Sequence, residues 1–189
     1  MKIAIIGTGY VGLVTGISLA VMGNKVACID NDKNRVSMIN AGQAPFYELG
    51  IDKYLNEVLK SGNLSASENL IKAVLESDAI IIAVGTPTVN NKIDLSFIET
   101  ASKQIGEVLA KHKKYHVVAV KSTVLPGVTE DVVRPILEKY SKKQAGKDFG
   151  LCMNPEFLRE GCAMDDALNP DRIVIGQIDD KSGIFFAKI

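Results

Sequence analysis

Short, uninterrupted apolar runs alternate along this chain with longer stretches whose apolar residues recur every three or four positions. The runs are Lys2–Ile6, Val26–Ile29, Leu64–Ala66, Ala79–Val84, Val117–Val120, Phe149–Met153 and Arg172–Gly176. Mostly apolar at consecutive positions and rich in Val and Ile, they suit strands buried on both faces. Between them the spacing predicts helices, first over the stretch carrying Leu13, Ile17, Leu19, Ala20 and Val21, then over Lys33–Asn40 and Gly50–Gly62. Further helices follow around Leu70, Ile71, Val74 and Leu75, over Leu95–Leu109, and over Thr129–Tyr140, where the interior Pro135 should bend the helix by removing a ladder bond. Asp179-Asp180-Lys181-Ser182 has the acids and hydroxyl that suit a last helix start. This alternation is that of an α/β protein with a doubly wound, mostly parallel sheet. The expected division is 1–178 for the sheet domain and 179–189 for the start of a connecting helix.

Composition narrows the class. The 189 residues are 47% hydrophobic and 23% charged, enough for one well-buried α/β domain. Lys plus Arg balances Asp plus Glu at 22 each, which gives no basic field for nucleic acid and no polybasic membrane patch. No apolar run reaches the ~18 residues of a spanning helix. A strand in the first residues leaves no secretory leader to expect, and Cys28, Cys152 and Cys162 form no CxxC pair. A reduced, cytoplasmic protein is the expectation.

Candidate chemistry starts where the first run ends, at Gly7-Thr8-Gly9-Tyr10-Val11-Gly12. Gly7 permits a tight strand-to-helix turn, Gly9 lets backbone approach a pyrophosphate, and Gly12 lets the helix pack closely on the strand. The unpaired N–H groups of the helix start then receive phosphate charge. Asp30 closes the next strand, where a carboxylate can accept hydrogen bonds from an adenosine ribose diol. With every part at its offset, the stretch reads as the Rossmann dinucleotide fingerprint. Asp30 selects NAD over NADP by repelling a 2′-phosphate, and Arg35 is placed near the adenosine or its diphosphate.

Other loops at strand ends leave two readings open. Gly85-Thr86-Pro87-Thr88 either lines the cofactor cleft or forms an ordinary turn. Hydroxyls of Lys121-Ser122-Thr123 could contact nicotinamide or substrate, or cap a helix. In Asn154-Pro155-Glu156-Phe157-Leu158-Arg159-Glu160-Gly161, Glu156 and Glu160 share one face if the stretch is helical, as candidates for proton transfer or as a solvated surface turn. His112 and His116 have no Cys/His cluster around them and are expected at the surface, with no metal site.

Taken together, Gly7–Gly12, Gly85-Thr86-Pro87, Lys121-Ser122-Thr123-Val124-Leu125-Pro126-Gly127 and Asn154–Gly161 resemble the UDP-glucose/GDP-mannose dehydrogenase family from residue 1 to about 180. The resemblance implies that Tyr10, Val11, Asp30, Arg35, Thr86, Thr123 and Glu160 meet NAD. It implies that Glu156, Phe157, Leu158, Arg159 and Glu160 meet the nucleotide-sugar. It also supplies the chemistry: the sugar C6 alcohol becomes a carboxylate in two NAD-dependent steps through a cysteine thioester. Glu156 would activate the hydrolytic water and Thr123 would place it. The nucleophilic cysteine of the family belongs to a C-terminal half that this chain lacks, and Cys28, Cys152 and Cys162 stand outside its motif. The expectation is therefore the NAD-binding half of a UDP-glucose 6-dehydrogenase, inactive alone and a homo-oligomer when full length. The alternatives are a GDP-mannose 6-dehydrogenase domain, a 3-hydroxyacid dehydrogenase and a non-catalytic NAD-sensing module.

Overall fold

Six of the seven apolar runs become parallel strands, and the seventh does not. The computed structural model describes residues 1–189. In chain order the elements are β1 (Lys2–Ile6), α1 (Tyr10–Val21), β2 (Lys25–Ile29), α2 (Lys33–Asn40), α3 (Ile51–Lys60), β3 (Leu64–Ser67), α4 (Leu70–Glu76) and β4 (Ala79–Ile82). A hairpin of β5 (Thr88–Val89) and β6 (Lys92–Ile93) follows, then α5 (Ser96–Leu109), β7 (Val117–Val120) and α6 (Arg134–Ser141). The chain continues with β8 (Gly150–Met153), α7 (Ala163–Leu168), β9 (Gly176–Gln177) and α8 (Asp180–Phe186). The sheet order is β3-β2-β1-β4-β7-β8-β9, parallel throughout except for β9. The order reverses between β1 and β4, which places the ligand crevice of a doubly wound sheet beyond their carboxyl ends. No helix is long and apolar enough to cross a membrane.

The strands are apolar at every position because each face of the sheet has its own core. Ile3 and Ile5 of β1 pack with Leu13 and Ile17 of α1 and Leu55 and Val58 of α3. The alternate residues Ala4 and Ile6 pack on the other face with Ile80, Ile82, Ile98 and Ile105 of β4 and α5, and Leu137 of α6. Burying each such Leu, Ile or Val contributes about 1.5–3 kcal/mol.

Several local expectations are corrected. The run Arg172–Gly176 leaves Ile173 67% exposed, and the seventh strand is only Gly176–Gln177, antiparallel to β8. The segment enters beside Met153, at the carboxyl end of β8, so it can only run backwards along that edge. Residues 154–159 are irregular, so Glu156 and Glu160 share no helical face. Val21 is 37% exposed, at the end of α1. Pro135 falls in the first turn of α6 after a π-turn in which the Arg134 N–H reaches the Thr129 carbonyl. Residues 129–133 are already helical, so the stretch is continuous to Ser141, and the widened π-turn lies where the proline removes a donor from the ladder. Of the apolar tail, Phe186 is buried in the sheet domain while Ile184 remains 60% exposed. The β5–β6 hairpin was unforeseen; Asn90 and Asn91 turn it with left-handed φ of 51° and 59°, the conformation that an Asn pair tolerates.

Candidate functional site

The glycine turn has the geometry its sequence requires. Gly7 has φ +99°, and a Cβ there would lie 2.6 Å from the Ala83 carbonyl oxygen. A Cβ at Gly12 would lie 2.0 Å from the Gly7 carbonyl oxygen, so any side chain would push α1 off the sheet. At Gly9 the position of the missing Cβ faces open space, with nothing within 4 Å. The start of α1 has no side-chain cap and no acid in its first turn, which leaves the N–H groups of its first residues, Tyr10 and Val11 among them, for a diphosphate. The residues present therefore fit NAD.

Asp30 ends β2 beside this turn. Its Oδ2 accepts from the Thr8 amide at 2.8 Å and the Thr8 hydroxyl at 2.6 Å, and its Oδ1 from the Asp32 amide at 3.0 Å. Burial pushes its pKa up, but the Thr8 and Asp32 bonds and the nearby Arg35 charge outweigh that and hold it below the ordinary carboxylate range. Arg35 itself is half-exposed and pairs with Asp32 at 3.5 Å. Thr8, wholly buried, is a residue that the fingerprint passed over as a spacer.

The loops after β4 and β7 are stitched into one surface. The Thr86 hydroxyl donates to the Thr123 carbonyl at 2.7 Å, and the Ser122 hydroxyl to the Val84 carbonyl at 2.7 Å. The loop after β4 is thus tied to the loop after β7, and Ser122 has a structural task there. One residue earlier, Lys121 donates to Asn154 Oδ1 at 3.0 Å, and Asn154 Nδ2 donates to the Val174 carbonyl at 2.8 Å. Burial lowers the Lys121 pKa to about 8, against the attraction of the Glu156 charge. Sequence reading missed this lysine, because only the fold takes its side chain out of water.

Lys121 and residues 154–159 line a cleft of about 680 Å³ whose far walls are α1, the segment 165–175 and the end of α8. Glu156 Oε2 accepts from the Leu158 amide at 2.7 Å. Arg159 is clamped by Asp166, its guanidinium at 2.6 and 3.1 Å and its amide at 2.8 Å. Arg172 sits over the Phe157 ring, 4.7 Å from its centroid. The cleft gathers Glu156, Phe157, Leu158 and Arg159. Exposed Glu160, the glycine turn, Asp30, Arg35, Thr86 and Thr123 lie outside it.

A third missed residue joins the two regions. Glu48, in the loop before α3, is 3% exposed and accepts from the Tyr10 hydroxyl and from the amides of Gly161 and Ala163. Its signal in the sequence is faint, an acid set between apolar neighbours in Phe46-Tyr47-Glu48-Leu49.

Comparison with known proteins agrees with this geometry. The UDP-glucose/GDP-mannose dehydrogenase family, NAD binding domain, matches residues 1–189. GDP-mannose 6-dehydrogenase of Azotobacter vinelandii is 42% identical over 190 residues, covering 100% of this chain and 44% of the relative. UDP-glucose 6-dehydrogenase of Haloferax volcanii is 38% identical, again over 100% of this chain and 44% of its own length. The crystal structure of a ternary complex of GDP-mannose dehydrogenase from Pseudomonas aeruginosa superposes with a TM-score of 0.97 at 41% identity, covering 100% of this chain and 43% of that one. The chain thus spans less than half the length of the relatives it matches.

Proposed function

The chain belongs to the UDP-glucose/GDP-mannose dehydrogenase family, as its NAD-binding domain, and from that premise we propose that it serves a nucleotide-sugar 6-dehydrogenase acting on GDP-mannose. UDP-glucose, the substrate expected from sequence, is the second reading. The order is supported by the TM-score of 0.97 with a GDP-mannose dehydrogenase, against 0.91 with a UDP-glucose dehydrogenase of Pyrobaculum islandicum. The observation that carries the proposal is the presence of Glu156 and Lys121 on one cleft, at the carboxyl ends of the neighbouring strands β7 and β8 of the sheet whose β1 carries the glycine turn.

Bound NAD supplies the hydride acceptor for each of the two oxidations at sugar C6. The first-turn N–H groups of α1 would hold its diphosphate, Asp30 would accept from its adenosine ribose, and Thr86, Thr123 and Glu160 would meet the rest of the cofactor. Residues 156–160 receive the nucleotide-sugar. Glu156 takes a proton from the hydrolytic water through Oε1, since Oε2 is held by the Leu158 amide. The Thr123 hydroxyl places that water, and Lys121 balances the carboxylate charge in the cleft. The nucleophilic cysteine comes from the part of the relatives that this chain does not match. On the same reading the NAD domain ends near residue 178, residues 179–189 lead towards that second part, and the complete enzyme is a cytoplasmic homo-oligomer.

Two measurements test the reading. Calorimetry on the NAD-loaded chain should give tighter binding of GDP-mannose than of UDP-glucose; binding of neither sinks the proposal. A chimera joining this chain to the remainder of the Azotobacter vinelandii enzyme should yield two NADH per GDP-mannose. In it, Glu156→Gln should slow turnover by about 100-fold or more, with acyl-enzyme accumulating, as loss of a general base does. Unchanged turnover would remove Glu156 from its role.

A further inference from the structure

A buried ionised carboxylate is tolerated only when its oxygens are filled by donors, and those of Glu48 are filled from both sides of the site. The Tyr10 hydroxyl donates to Oε2 at 2.5 Å, the Gly161 amide to Oε2 at 2.9 Å, and the Ala163 amide to Oε1 at 3.2 Å. Burial pushes the Glu48 pKa up, but the Tyr10 hydroxyl and the Gly161, Ala163 and Leu49 amides outweigh it and hold the group ionised. Tyr10 is the first residue of α1, its own N–H part of the turn that receives the diphosphate. Its ring packs on Phe46, centroids 5.1 Å apart, and its hydroxyl lies 3.4 Å from the Arg159 carbonyl. One side chain from a loop outside both motifs is thus shared by the glycine turn and by the segment that follows the cleft residues 154–159.

We propose that Glu48 is a positioning residue that couples NAD occupancy at the start of α1 to the geometry of the Arg159–Ala163 segment. The physical path is short. A diphosphate on the first-turn N–H groups fixes the backbone of Tyr10, the fixed Tyr10 orients its hydroxyl on Glu48, and Glu48 holds Gly161 and Ala163. Gly161 has φ +85° and nothing near its missing Cβ, so the segment has freedom at that point that an outside anchor removes. Cofactor then favours one arrangement of Arg159 and Glu160 over others, which orders the binding of the two ligands. The role given to that segment rests on the nucleotide-sugar reading above; the coupling to NAD does not.

The test therefore uses NAD alone. Amide hydrogen exchange at Gly161 and Ala163 is measured with and without saturating NAD. In the native chain NAD should slow both amides by about fivefold or more, the lower end of ordinary coupling between sites. In Glu48→Gln, whose side chain keeps one acceptor oxygen and turns the other into a donor, the NAD-dependent slowing should disappear at one or both amides while NAD still saturates. A purely structural role would speed both amides equally with and without NAD and leave their ratio intact, which overturns the proposal. Tyr10→Phe keeps both amide bonds to Glu48 and removes only the link to α1, so it should also abolish the ratio, and it decides the matter if Glu48→Gln does not fold. A native chain that binds NAD with unchanged exchange at both amides likewise overturns the proposal. Failure of every nucleotide-sugar to bind would defeat the substrate reading and leave the coupling standing.

Discussion

Asp30 is ionised in the fold, because Thr8 and Asp32 supply three donors to a carboxylate whose pKa burial alone would raise. The sign of its contribution follows. A folded pKa below the unfolded one gives stability that is present above the unfolded value and is lost as pH falls through the folded value. In the neutral range the charge is fixed, attractive to a ribose diol and repulsive to a 2′-phosphate. Asp30→Ala should weaken NAD binding by about 1–3 kcal/mol, the scale of a hydrogen bond to a charged group. Calorimetry with NAD and NADP checks this, and native protein binding both equally would show the charge is not selecting. At this scale legibility in the sequence follows the range of the interaction. Gly7, Gly9 and Gly12 could be read because a turn dictates residue type within a few positions, and Asp30 because it ends the second strand of the same βαβ unit. Thr8, Glu48 and Lys121 could not, because their roles arise from partners 22, 113 and 33 residues away.

Among the elements, β7 carries a liability at its amino end. His116, expected at the surface, is wholly buried just before this strand. Its Nδ1 lies 3.0 Å from the Lys114 carbonyl and so carries the proton, while Nε2 is buried with no partner. A second proton would have to sit on Nε2 without an acceptor, near His112, Lys114 and Lys143. Burial, with those charges behind it, lowers the His116 pKa to about 4. For a histidine lowered in the fold, the unfolded chain binds the proton first, so stability is full above the unfolded value near 6.5 and falls as pH drops towards 4. The loss should approach about 3 kcal/mol, at about 1.4 kcal/mol per unit. Urea unfolding at pH 7 and pH 4.5 measures it, and His116→Gln should flatten the dependence; equal slopes in both proteins would place the acid sensitivity elsewhere. The element pattern itself explains what sequence could and could not reveal. Strands buried on two faces and helices with one apolar face announce themselves by period. Arg172–Gly176 matched the strand period yet finds no ladder partner along most of its length, and the loop 154–159 is set by Glu156 and Arg159 bonding their own surroundings rather than by any period.

For the whole molecule, the decisive matter is which chemistry these 189 residues can complete by themselves. A thioester route needs an accessible thiolate beside the substrate, with a base or cation to form it. Cys28 is wholly buried and burial pushes its thiol up to about 12. Cys152 is 1% exposed, and burial with the nearby Asp179 charge pushes it up to about 11. Cys162 is exposed and near the Arg159 guanidinium, which Asp166 holds, but both histidines lie at the amino side of the sheet, before β7, whereas Cys162 follows the carboxyl end of β8. None of the three lines the cleft. The cleft itself is bounded on one side by Ala187 and Ile189, with Phe157 and Ile173 exposed along it, apolar surface of the kind that a further wall would cover. The 189-residue chain should therefore bind NAD and produce no sustained NADH from GDP-mannose or UDP-glucose. The assay is NADH absorbance with purified chain, NAD and millimolar nucleotide-sugar, alongside calorimetry for NAD. Two NADH per sugar would refute the prediction and require Cys162 to act as the nucleophile, which Cys162→Ser would then test. One NADH per sugar, stopping at the aldehyde, would mean that Glu156, Lys121 and bound NAD suffice for the first oxidation, and would confine the need for a thiol to the second.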